Sequence, residues 1–120
     1  MVFQDTDHEQ NFGLFVEKTE CSYGESDYMA ALFLLSTPLL ARRTMNHVKR
    51  RAIEFPKLLE LIKPWSSSEK ALVRLAASLF NGSYKADVND TFWNLDAANL
   101  NLVLKALEIR FGSKTRNFPV

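Results

Sequence analysis

Cysteine is almost absent from this chain of 120 residues: Cys21 is the only one, so no internal disulfide can form. That fits a reducing compartment such as a cytoplasm. Four glycines and four prolines are few for a loop-rich or all-β protein. The longest uninterrupted apolar run, residues 29–35, is seven residues long, against the ~20 needed to span a bilayer. The first residues have neither a basic nor an apolar stretch of the secretory type, so no signal peptide is expected and no membrane partner follows.

Chemistry-bearing patterns are equally scarce. The two histidines, His8 and His47, belong to no HxxxH or HExxH pair, and there is no CxxC, so no metal site is expected. The GxSxG elbow, the GxxxxGK[ST] loop and the GxGxxG turn are all missing, which argues against acyl transfer, nucleotide hydrolysis and dinucleotide cofactors. Asp5, Asp7 and His8 read as helix-capping acids with a surface histidine. Cys21 sits among Glu17, Glu20 and Glu25, whose negative charge would blunt it as a nucleophile. The expectation is a protein that is not an enzyme and carries no catalytic residues, metal or cofactor.

What is present is a globular composition, 47% hydrophobic and 24% charged, with an uneven charge distribution. Residues 1–37 hold seven acids and one base, a net of −6; residues 38–63 hold seven bases and two acids, +5; the remainder adds +2. Apolar spacing and end signals place helices over residues 6–20, 27–36, 39–52, 57–62, 68–80 and 97–111. Ser26 reads as an N-cap, as do Asp87 and Asp96, and Ser66 with Glu69 has capping-box spacing. Asn81-Gly82 reads as a stop with glycine left-handed. Only residues 83–86 could be extended. The fold class is therefore all-α: a compact single-domain bundle of five to seven helices over residues 1–112, followed by a flexible tail, 113–120. The core is expected from Leu72, Leu75, Leu79, Leu100, Val103, Leu104 and Leu107 against the apolar helix containing residues 29–35.

Two features are candidates for function. On a helix 39–52, Arg42, Arg43, Lys49, Arg50 and Arg51, with His47 beside them, form a basic stripe flanking the apolar row Ala41, Met45, Val48 and Ala52. Such a stripe can meet an acidic protein surface or nucleic-acid phosphates. It can equally be a solvated face, or pair with the acidic first third of the same chain. The second feature is Phe92-Trp93, which either anchors a partner or packs the last two helices together.

The stretch Ser67-Ser68-Glu69-Lys70, Leu72-Val73, Ala76, Leu79-Phe80-Asn81-Gly82, followed by Phe92-Trp93-Asn94-Leu95-Asp96, Asn99 and Ala106-Leu107-Glu108-Ile109-Arg110-Phe111, resembles a family of short proteins of unknown function. Members occur in Gram-positive bacteria, their prophages and phages. Phe3-Gln4-Asp5, His8 and Phe12 look like that family's opening. The resemblance covers about the first 20 and last 50 residues, while the more basic middle, 39–64, departs from it. It transfers no catalytic residue. It implies a phage or mobile-element accessory protein in a bacterial cytoplasm that binds, and by analogy inhibits, a host or defence protein. The expected contacts are Arg42, Arg43, His47, Lys49, Arg50, Arg51 and Trp93 on an acidic surface of that protein. The alternative is a nucleic-acid-binding accessory protein using the same basic helix, and self-association is left open.

Overall fold

The second helix is the axis of the molecule because it has no polar side to expose. In the computed structural model, which describes residues 1–114, helix α2 (Ser26–Leu35) buries every residue from Tyr28 onward. An apolar helix of this kind can only be stable when enclosed. Helices α5 (Ser67–Phe80) and α7 (Ala97–Phe111) cover two of its sides, and α1 (Thr6–Thr19) covers a third. Three shorter helices complete the fold: α3 (Ala41–Thr44), α4 (Phe55–Leu61) and α6 (Val88–Trp93). This is an all-α domain with one small exception, described below. No helix among the described residues is long and apolar enough to cross a membrane. The expected tail falls mostly on residues 115–120, outside the described residues; Gly112–Lys114 form a 3-10 turn.

Four of the helix starts, those of α1, α5, α6 and α7, follow capping residues. Asp5, Asp87 and Asp96 each accept a hydrogen bond from the amide three residues on, at 2.8–2.9 Å. Ser66 and Glu69 form the reciprocal capping box: the Glu69 amide donates to the Ser66 hydroxyl at 3.3 Å, and the Ser66 amide donates to the Glu69 carboxylate at 3.0 Å. Ser26, expected as a cap, is instead the first residue of α2, and its hydroxyl accepts from Arg110 Nη1 at 3.0 Å. At the end of α5 the stop is made by Asn81 in extended conformation, its side chain accepting from the Ser83 amide at 2.9 Å; Gly82 is not left-handed.

The continuous helix expected over 39–52 does not form. After α3 and a 3-10 turn (Met45–His47), the chain makes a hairpin of two short strands, β1 (Val48–Lys49) and β2 (Ala52–Ile53). Val48 faces Ile53 in this antiparallel pair, and both are buried. Two-residue strands are affordable here because the hairpin is tied at both ends. The Glu54 amide donates to the His47 carbonyl at 2.8 Å, and at the turn the Arg51 amide donates to the Thr19 carbonyl at the end of α1, at 2.9 Å. β-Branched side chains and these tertiary bonds outweigh the helical period of the sequence.

The last helix has the expected span but a different rotation. Leu102, Val103, Ala106 and Asn99 are buried, whereas Leu104, expected in the core, is 53% exposed, and Leu100 and Leu107 are only half-buried. The inward face is turned about 100°, one residue, from the leucine stripe. Arg110 lies on that inward face, its Nε donating to the Leu79 carbonyl at 2.8 Å, so a polar anchor helps set the rotation. Leu72, Leu75, Leu79 and Val103 are buried as expected.

Candidate partner-contact site

The basic residues of 42–51 do not form one stripe. Loss of the continuous helix spreads them over α3, the 3-10 turn and the hairpin, and most are engaged by carboxylates of the same chain. Arg43 on α3 lies over the Trp65 ring at 4.1 Å and is paired through Nη2 with Glu69. That contact, reinforced by the Ser66 amide, holds the Glu69 carboxyl below the usual glutamate range. His47 Nδ1 is 3.3 Å from Glu54, which Lys57 also approaches at 3.2 Å; Lys57 chiefly and His47 further lower the Glu54 carboxyl.

The hairpin turn carries two more pairs. Arg50 meets Glu20 at 2.7 Å on the open surface, a contact that exposed charges make at little net gain. Arg51 makes the more specific one. Its Nη1 and Nη2 donate to the two oxygens of Glu25 at 2.8 and 2.6 Å, and its guanidinium lies over the Tyr28 ring at 5.1 Å. The arginine, together with the Ser22 amide, pulls the Glu25 carboxyl down to about 2, while Glu25 raises Arg51 further. Arg51 adopts φ 54, a left-handed conformation unusual for a residue with a side chain. Glu20, at the end of α1, is left-handed too, with φ 55. Two strained residues thus sit at the junction of helix and hairpin, each in an ion pair.

Arg42 and Lys49 are the exceptions. Neither side chain has a hydrogen bond or ion pair among the described residues, although the charge of Lys49 helps to lower the Glu54 carboxyl. Arg42 borders a cleft of about 340 Å³ with Asp7, Asn11 and Met45. The partners of the other basic residues are set by the fold, and in the sequence Glu69 signals only half of a capping box. The opposed charges of the first and second thirds were the available signal for the Glu20 and Glu25 pairs.

Trp93 takes the opposite course. It is 89% exposed at the end of α6, while its neighbour Phe92 is half-buried against the core. It therefore does not pack the last helices together; Phe92 and Leu95 instead pack against the core.

The groups that could have carried chemistry are internal. His8, expected on the surface, is fully buried between the rings of Phe3 and Phe33. Cys21 is buried, with the Thr19 hydroxyl 2.9 Å from its sulfur. Among the described residues no three His, Cys, Asp or Glu side chains are grouped so as to hold a metal ion. In comparison with known proteins, the chain matches no family model, no curated protein and no solved structure.

Proposed function

We propose that this protein is a small non-enzymatic binding protein that covers a surface of another protein, with Trp93 as its anchor. The observation that carries this reading is the placement of that side chain: a folded helix presents an indole that is 89% exposed. A large ring with two torsions loses little freedom when covered and removes much apolar area from water, which is why tryptophan is so often a hot spot. The setting, a phage or mobile-element accessory protein that inhibits a host or defence protein in a bacterial cytoplasm, is supported by the family resemblance of the two terminal segments.

A second reading keeps the basic segment as the contact, and Arg42 and Lys49 favour it because neither side chain is held in a hydrogen bond or ion pair among the described residues. An acidic partner or nucleic acid would otherwise have to displace Glu69, Glu20 or Glu25 from the remaining arginines. Two available cations predict a shallow dependence of log affinity on log salt, a slope of about −2 for duplex DNA.

Capture from a bacterial lysate tests the two together. Loss of the captured protein with Trp93→Ala, and retention with Arg42→Glu plus Lys49→Glu, supports the tryptophan surface. The reverse pattern supports the basic one and overturns the first.

A further inference from the structure

Two of the chain's arginines are held by the same pair of groups. Arg51 lies over Tyr28, and Glu25, three residues before that ring, accepts both of its terminal nitrogens. Arg43 lies over Trp65, and Glu69, four residues after that ring, accepts its Nη2. In each case an aromatic face supports the planar guanidinium, and a carboxylate about one helical turn away takes its N–H groups.

The same pair of groups occurs a third time, on α6, without an arginine among the described residues. Asp90 and Trp93 are three residues apart within one helix, the separation of Glu25 and Tyr28, which places them about 60° apart on one face. Asp90 is exposed, and neither of its carboxylate oxygens has a hydrogen bond or ion pair among the described residues. Asp87 and Asp96 differ, each accepting a capping amide. No lysine or arginine occurs between residues 86 and 104. Arg74 and Lys85 border a cleft of about 390 Å³ beside Asp90, yet neither pairs with it, and Lys85 donates instead to the Gly82 carbonyl at 2.8 Å.

We propose that Trp93 and Asp90 form a receptor for an arginine presented by a partner protein, the guanidinium lying on the indole and donating to the Asp90 carboxylate. This rests on Trp93 being the contact residue and adds the partner's chemistry: a basic surface or segment with an exposed arginine. Lysine fits less well, because its ammonium has no plane to stack. Polyanions are disfavoured, since Asp87, Asp90 and Asp96 would repel phosphates.

The test is a titration of the full ¹⁵N-labelled chain with a blocked peptide, Gly-Ser-Arg-Ser-Gly, and with versions carrying lysine or neutral citrulline in place of arginine. The reporter is the Trp93 indole N–H, assigned by its disappearance in Trp93→Phe; the Trp65 indole, already occupied by Arg43, is the internal control. The expected result is a saturable shift of the Trp93 signal alone, strongest with arginine, with the dissociation constant raised about 2- to 5-fold by Asp90→Asn, the range for one exposed charge contact. No shift, an equal shift with citrulline, or indifference to Asp90→Asn overturns the proposal. The lysate capture separates its failure from that of the broader reading. Capture lost with Trp93→Ala but kept with Asp90→Asn overturns the arginine receptor alone; capture kept with Trp93→Ala overturns both.

Discussion

His8 Nε2 lies 2.7 Å from the main-chain oxygen of Phe33, in the last turn of the α2 helix. The other ring nitrogen accepts the Gln4 amide at 3.0 Å, so the two bonds together require a neutral ring protonated on Nε2. This one side chain ties the amino-terminal segment and the start of α1 to the central helix. Burial among aromatic rings is the main cause holding its pKa below 6.5; the Phe33 bond and Asp5 oppose that, and Lys105 adds to it.

Acid should therefore weaken the fold through His8. The unfolded chain takes up a proton near pH 6.5 that the folded chain resists, so this contribution to stability is complete above that pH and is lost as pH falls toward the lower folded value. The slope from a single proton is at most about 1.4 kcal/mol per pH unit. Melting curves between pH 7.5 and about 5 should show it, and His8→Leu should flatten it while lowering stability at neutral pH, because Gln4 then loses its acceptor. An unchanged slope in that variant would assign the acid sensitivity to other groups.

Arg43 and Arg50 should respond differently to charge reversal. Arg43→Glu places a carboxylate against Glu69 and removes the Trp65 stack, disturbing the start of α5. The melting midpoint should drop by several degrees. Arg50→Glu breaks only an open surface contact with Glu20 and should move the midpoint little. Equal midpoints for the two variants would show that the Arg43 pair is as dispensable as the Arg50 one.

At Arg51 the order of two substitutions is informative. Arg51→Ala and Arg51→Gly both lose Glu25 and Tyr28, but only glycine adopts φ 54 without strain. Arg51→Gly should be the more stable by about 1–2 kcal/mol in chemical denaturation, the cost of a left-handed residue with a Cβ. An alanine variant of equal stability would mean that the turn relaxes once the ion pair is gone.

The rotation of α7 can be read from two leucines. Leu104→Ala should cost less than about 1 kcal/mol because the side chain is half in water, whereas Leu102→Ala should cost roughly 2–5 kcal/mol. A large loss at Leu104 would restore the inward leucine stripe.

These contrasts mark where the sequence was informative. Ser66 with Glu69, and Asp96, announced their helices because a cap acts within three residues and needs no knowledge of the rest. The all-apolar residues 29–35 likewise required burial on every side. The hairpin at 48–53 was illegible for two reasons: its turn uses arginine where glycine or asparagine would have signalled a left-handed residue, and its amide partner is Thr19, some thirty residues away. Ala41, Met45, Val48 and Ala52 kept a helical period that this tertiary contact overrode. On α7, apolar residues cover so much of the circumference that hydrophobicity could not choose a face, and Arg110 and Asn99 lie on the buried one. The basic cluster was visible as charge, but its distribution among Glu69, Glu20 and Glu25 depended on the fold.

The enclosure of α2 has a consequence for synthesis. Its residues are made well before α5 and α7, which cover it, so the side that α7 covers stays open until residue 111 has been added. At about 5–20 residues per second that interval is on the order of 4–15 s. Until residue 80 completes α5, α1 is the only major neighbour already made, and from that side His8 reaches the Phe33 carbonyl. An apolar helix left open in this way invites non-specific association, and translational pausing between residues 36 and 97 would lengthen its exposure.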